Sequence, residues 1–317
     1  VNAIQNATED VEGSTLYVTL EPCCHHGKTP PCTDLIIRHK ISRVVIGPAD
    51  ANPLVSCRGM SCLQGAGIEV VSGVLEQECR RLNEVFFHFM ETGQPFVTVK
   101  YAQTLDGRIA TASGQSQWIS SPASLNFAHQ LRACHDAILV GVGTVRADNP
   151  TLTVRRVRGR NPLRVILDSN LVVSPRANVM RHLKEAPTLV ATTKQASDRA
   201  FQELAETGAE IVTIQPDEQN RVNLRELLKV LAARNVSSVL IEGGAQMITS
   251  ALRDNLVNRL VVVIAPKILG RGIEAIGDLS IRDLQQAKLL SVQKVMKKGD
   301  DVIMDCRLFA PSDSARP

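Results

Sequence analysis

Aromatic side chains are scarce in this chain of 317 residues: one Trp, two Tyr and seven Phe, 3% in all. A protein that grips single-stranded nucleic acid by stacking needs more of them. Net charge is equally modest. Lys and Arg number 36 against 32 Asp and Glu, a balance of +4, too mild to hold a polyanion yet suited to an anionic small molecule. No apolar run approaches the roughly 20 residues of a membrane span, and no signal peptide opens the chain. Neither nucleic acid nor membrane is therefore an expected partner. The eight cysteines are unevenly spaced and lack secretory context. That favours thiols and metal ligation over disulfides, with the cytoplasm as the expected compartment. The chain starts "VNAIQNATED", which reads as the inside of a helix; a fragment missing its front, or processing, would explain it.

What is present is an ordinary globular composition, 44% hydrophobic and 21% charged, in a length that predicts two domains. "STLYVTLEP", "SRVVIGPAD" and "IEVVSGV" read as strands, with helices at "PCTDLIIRH" and "GMSCLQGAG" between them. "EQECRRLNEVFFHFMETG" predicts one amphipathic helix stopped at Gly93. "TGQP", residues 92 to 95, is the expected boundary, giving domains 1–93 and 94–317. In the second domain, Ser121 and Pro122 open a helix. Strand-like runs follow at "AILVGVG", "LRVILDS", "PTLVATT", "EIVTI", "SSVLIEGG" and "RLVVVIAP". Helices are expected around 199–206, 224–234 and 246–253, and a hairpin turned at Gly299-Asp300 ends the domain. Both domains are α/β.

"TLEPCCHHGKTPPC", residues 19 to 32, puts three cysteines and two histidines at a strand end. Zinc takes such thiolate and imidazole ligands, keeping one position for water where it is catalytic. Cys32 follows Pro30-Pro31 at a helix start, where its thiolate should be favoured. The plain alternative is a set of buried apolar cysteines. "KYAQTLDGRIATASGQSQWISS", residues 100 to 121, is a strand carrying Lys100, then a polar loop around the only tryptophan. Polar loops after strands are where α/β sheets bind ligands. Gly141-Val-Gly143 is a poor dinucleotide fingerprint, since Arg146 replaces its third glycine. The basic run from Arg155 to Arg164 reads mostly as a solvated loop. "VLIEGGAQMITSAL" is the strongest cofactor signal: a strand ends in Glu242, two glycines turn, and a helix begins. Free N–H groups at a helix start bind anions, and glycine lets a pyrophosphate approach.

"TLEPCCHHGKTPPC" resembles the zinc motif of the bifunctional riboflavin-biosynthesis deaminase–reductases (the RibD/RibG family), and the likeness covers essentially the whole chain. The resemblance implies a cytidine-deaminase-like domain followed by a dihydrofolate-reductase-like NADPH reductase domain. It implies zinc held by Cys23 and Cys32 with one histidine, and a substrate phosphate end gripped by His25 and Lys28. In the reductase it marks Ala102, Trp118, Thr144, Asp148, Ser169, Gly243 and Gly244 for the cofactor. Ser116, Arg132, Leu152, Arg155 and Glu242 are marked for the substrate, with Lys100 and Glu242 as catalytic candidates. Arginines suit a ribose phosphate because their planar fork makes bidentate bonds. "APKILGRG", 265–272, resembles a late loop of the family and receives no catalytic role.

Zinc deaminases also need a His-x-Glu, its His a ligand and its Glu the proton shuttle. By the resemblance this tripeptide stands just before "VNAI", so residues 1 to about 93 read as the truncated back portion of a deaminase, inactive as given. The implied reaction is NADPH-dependent reduction of 5-amino-6-(5-phosphoribosylamino)uracil to the ribitylamino form, in a homodimer or higher homo-oligomer. Two other readings are a reductase with a purely structural front domain, and a zinc-stabilised binding module.

Overall fold

A computed structural model describes residues 1–27, 29–52 and 55–309. The chain divides into two compact units, Val1–Gln94 and Pro95–Pro317. In the first, helix α1 (Asn2–Gln5) precedes β1 (Thr15–Val18), α2 (Cys32–Arg38), β2 (Arg43–Ile46), α3 (Arg58–Gly65) and β3 (Glu69–Val71). The three strands pair in parallel in the order β1-β2-β3. Val44, Val45 and Ile46 of the central strand are all buried, as the continuous apolar run of a parallel strand requires. Ile36 and Leu63 pack on that strand from α2 and α3.

Residues 76–93 form two helices, not the single one their pattern predicts: α4 (Glu76–Leu82) and α5 (Glu84–Thr92). The break is Asn83, at φ −107° and ψ 21°. Its side-chain amide donates to the carbonyls of Cys79 (3.0 Å) and Thr19 (3.2 Å). Asn competes in this way with the helical backbone for carbonyls.

The second unit is built on a nine-stranded sheet. Along the chain run β4 (Phe96–Thr104), β5 (Arg108–Thr111), α6 (Pro122–Cys134), β6 (Ala137–Gly141), α7 (Val142–Asp148), β7 (Leu163–Leu167) and β8 (Thr188–Thr192). Then follow α8 (Asp198–Ala205), β9 (Glu210–Thr213), α9 (Leu224–Ala233), β10 (Ser238–Glu242), α10 (Ala245–Arg253) and β11 (Arg259–Ala265). The last strands are β12 (Gly272–Glu274), β13 (Leu290–Lys298) and β14 (Asp301–Leu308). The sheet order is β13-β14-β11-β4-β10-β6-β7-β8-β9. All neighbours are parallel except β14 against β11 and β13 against β14. The closing hairpin turns at Gly299 and Asp300 as its sequence predicts. Its core is the apolar centre of these strands, including Val99, Ile138, Leu139, Val165 and Ile241, each fully buried.

Two elements depart from expectation. The run "AILVGVG" leaves the sheet at Gly141, and Val142 already opens α7. β5 and β12 form a separate antiparallel ribbon that the sequence pattern does not mark. The start of α6 matches the prediction: Pro122 is its first residue, and the Ser121 hydroxyl accepts from the Ser124 N–H.

Candidate active site

A cleft of about 510 Å³ opens in the second unit, lined by the carboxyl-terminal parts of β4, β6 and β10, by α6 and by the loops that follow. Ligands of α/β sheets bind at that end of the strands. The parallel register of β10 on β4 pairs Glu242 with Lys100, so two residues far apart in sequence become neighbours. Arg132, near the end of α6, closes the group. Its Nε and Nη2 donate to the two oxygens of Glu242 at 2.9 and 2.6 Å, and its Nη1 donates to the Thr153 carbonyl at 3.3 Å.

The fork is largely shielded, with 13% of the Arg132 side chain and 11% of the Glu242 side chain exposed. Burial pushes the Glu242 carboxyl up. The guanidinium of Arg132, its hydrogen bonds, and then Lys100 and His129 outweigh this and bring Glu242 down to about 2. The Lys100 ammonium is driven below its ordinary value by burial; Glu242 resists that and Arg132 adds to it. The result is a carboxylate that stays ionised beside an amine whose charge costs more than it would in water.

Behind Glu242 the chain turns through Gly243 and Gly244, at φ +78° and +79°. Side chains rarely tolerate that conformation. A Cβ at either position would meet only Thr144, at 3.4 to 3.5 Å, so the space over the turn is otherwise open. The helix that follows, α10, begins without a side-chain cap. Its first N–H groups and positive end remain for an anion. An uncapped helix start reached through two bare glycines fits a cofactor pyrophosphate.

Of the reductase residues singled out in the sequence, all but one line this cleft. The Ser116 hydroxyl donates to Asp148 Oδ1 at 3.1 Å, joining the polar loop to the end of α7. Ala102 lies on β4, and Thr144 stands over the glycine turn. Leu152 is buried at a positive φ of 54°. Arg155 is exposed, its Nη1 donating to the Thr151 hydroxyl at 2.8 Å. Trp118 is exposed, and Lys267 Nζ donates to its carbonyl at 2.7 Å. Ser169 is the exception. It does not line the cleft, and its hydroxyl accepts from the Val222 N–H at 3.0 Å.

Two residues of interest escape the sequence reading. Lys267 belongs to "APKILGRG", a stretch given no role, yet it fastens the Trp118 loop. His129 lines the cleft and is 3% exposed. The signal for it was its place three residues before Arg132 on a predicted helix, which puts both on one face.

In the first unit the structure brings Cys23 and Cys32 together: the Cys32 N–H donates to Cys23 Sγ at 3.4 Å. Cys32 is the first residue of α2 as expected, where the helix start acts to lower its thiol. Burial pushes it up, and the neighbouring Cys23 adds to the rise. His25 is exposed in the loop after β1, and Lys28 lies outside the described residues. Glu21 orders this region from within. It is 3% exposed, and its two oxygens accept the N–H groups of Asp50, Cys57 and Met60 at 3.0 to 3.1 Å. Among the described residues no three His, Cys, Asp or Glu side chains are placed to hold a metal. Two thiols suit zinc, but they do not complete its tetrahedral set.

Comparison with known proteins agrees with both parts of this picture. The family model of the RibD C-terminal domain matches residues 95–302. The model of the cytidine and deoxycytidylate deaminase zinc-binding region matches residues 1–48. The riboflavin biosynthesis protein RibD of Aquifex aeolicus is 45% identical over 305 residues, spanning 96% of this chain and 83% of that protein. The RibD of Escherichia coli is 36% identical, over 96% of this chain and 84% of its own length. Among solved structures, Acinetobacter baumannii RibD superposes with a TM-score of 0.85 at 32% identity, covering 97% of this chain and 84% of that one. A diaminohydroxyphosphoribosylaminopyrimidine deaminase/5-amino-6-(5-phosphoribosylamino)uracil reductase from Thermotoga maritima gives 0.81 at 36% identity, with 97% and 83% covered. A cytidine-deaminase-like zinc region followed by a RibD reductase domain places the chain in the RibD family of riboflavin biosynthesis.

Proposed function

We propose that the second unit catalyses the NADPH-dependent reduction of 5-amino-6-(5-phosphoribosylamino)uracil to 5-amino-6-(5-phosphoribitylamino)uracil. The first unit is then the zinc-binding portion of the partner activity, deamination of 2,5-diamino-6-(5-phosphoribosylamino)pyrimidin-4-one. One observation carries the reductase reading: a single cleft joins an open glycine turn to the Lys100–Glu242–Arg132 group. The glycine turn, Thr144 and Asp148 are cofactor contacts, whereas the charged group and Arg155 serve the substrate.

When bound, NADPH supplies hydride to the imine or carbonyl carbon of the ring-opened ribose. The protein's own residues orient and neutralise. Arg132 keeps Glu242 ionised and fixed, so that its free lone pairs can receive donors of the substrate's polar face. Lys100 sets a cation beside that carboxylate, next to where oxygen charge changes as the carbon is reduced. Arg155 offers its fork to the sugar phosphate. In the first unit Cys23 and Cys32 would hold zinc, with His25 toward the substrate. We also read the protein as a homo-oligomer of the cytoplasm. The edge strand β13, which leaves Leu290, Val292 and Val295 exposed, supports self-association.

The test uses the sole tryptophan as reporter. NADPH should change Trp118 fluorescence at lower concentration than NADH, and NADPH absorbance should fall when the deaminated pyrimidine is added. A folded chain that binds no NADPH would sink the oxidoreductase reading.

A further inference from the structure

We propose that His129 is a positioning residue of this cleft, holding the backbone at Arg155 so that Arg155 and Arg156 meet a phosphate monoester on the substrate. The proposal rests on the reductase reading and adds a residue to it. The chain from 149 to 162 has no helix or strand of its own, so something else must fix it. Side chains do so at successive points. Arg164 Nη1 donates to the Thr151 carbonyl at 3.2 Å, and Arg132 Nη1 to the Thr153 carbonyl at 3.3 Å. The Val154 N–H donates to Asn161 Oδ1 at 2.7 Å, and the Arg155 N–H to His129 Nδ1 at 3.2 Å. His129 is the last of these pins before the two arginines.

The imidazole suits that task because Nδ1 accepts only while the ring is neutral. Burial, then the guanidinium groups of Arg132 and Arg155, bring His129 down to about 4, with Glu242 opposing and Arg156 adding. It therefore stays an acceptor throughout the neutral range, in a corner where a charged ring would repel the arginines it arranges. The corner itself calls for an anion. Glu242 is taken up by Arg132, and among the described residues neither Arg155 nor Arg156 forms an ion pair with a carboxylate. Both arginines line the cleft. Two unpaired guanidinium groups on a pinned loop match the charge and fork geometry of a phosphate monoester.

Two polar replacements separate the pin from mere bulk. His129→Asn sets an amide oxygen near the place of Nδ1 and keeps an acceptor for Arg155. His129→Gln carries its amide too far out to do so. Inorganic phosphate serves as competitor against the phosphorylated pyrimidine and, by calorimetry, as a ligand alone. In the Gln variant KM and the phosphate inhibition constant should rise about tenfold, the value of one good hydrogen bond. Its kcat should change less than KM, and its NADPH affinity should hold. The Asn variant should recover most of the loss. Equal phosphate binding in parent, Gln and Asn chains overturns the proposal, as does an Asn variant no better than Gln. A parent chain that binds phosphate here but never reduces the pyrimidine defeats the reductase reading instead.

Discussion

Glu242 is the residue on which the cleft's charges converge. Both its oxygens accept from Arg132, and the register of β10 on β4 sets Lys100 beside it. Its folded value of about 2 lies below the roughly 4.3 of an unfolded glutamate. A depressed carboxyl stabilises the fold fully above the unfolded value and loses that contribution as pH falls toward the folded one. Unfolding free energy should therefore drop by up to about 3 kcal/mol between roughly pH 5 and pH 2 from this group. Glu242→Gln should lose that part of the acid dependence. At neutral pH it should also cost about 3–5 kcal/mol, because Arg132 would keep its charge without a buried partner. Urea titrations of parent and variant at pH 3, 5 and 7 measure both effects. An acid limb unchanged in the variant would assign it to another carboxylate.

At the scale of elements, the strand–turn–helix unit of β10 and α10 shows what local chemistry can specify. Glycines at φ +78° and +79° are required by backbone conformation rather than by crowding, since a Cβ would meet only Thr144. Gly244→Ala should accordingly be folded but strained by roughly 1–3 kcal/mol, with NADPH affinity falling as the turn shifts. Affinity by Trp118 fluorescence and stability by thermal melting check it; an Ala variant of parental NADPH affinity would remove the turn from the cofactor site. This unit was legible in advance because a β-branched strand, a double glycine and a helix start are each local signals. The hairpin at Gly299-Asp300 and the cap at Ser121-Pro122 were legible for the same reason. α7 was not: Val142-Gly143-Thr144-Val145 has the composition of a strand, and tertiary packing overrides that weak preference. Nor was the ribbon of β5 and β12, whose partners lie far apart in sequence and carry no shared pattern. The Asn83 break escaped because one of the two carbonyls that hold its side chain lies on a distant loop.

On the scale of the whole molecule, the two units stand in different chemical positions. In the reductase unit, sequence pattern and resemblance together reached most of the cleft, because its contacts sit at strand ends and turns. His129 was not singled out, and Ser169 stands outside the cleft lining, because only packing decides which side chains turn inward. The zinc unit presents Cys23 and Cys32 side by side, while no His-x-Glu occurs anywhere in the 317 residues. A zinc deaminase needs that tripeptide twice over, its His to complete the metal site and its Glu to carry protons to and from the attacking water. General acid–base help alone contributes roughly 10²–10⁴ in rate, and a missing ligand weakens the metal as well. The 317-residue polypeptide should therefore reduce the deaminated pyrimidine yet release no ammonia from the diamino precursor, even with zinc supplied. Joining a segment that ends in His-x-Glu ahead of Val1 should restore ammonia release and leave the rate of NADPH oxidation unchanged. Each substrate is offered separately, with ammonia and NADPH absorbance as the two readouts. Brisk ammonia release from the unextended polypeptide would mean that another carboxylate moves the protons, and the buried Glu21 beside the cysteine loop would be the first to substitute.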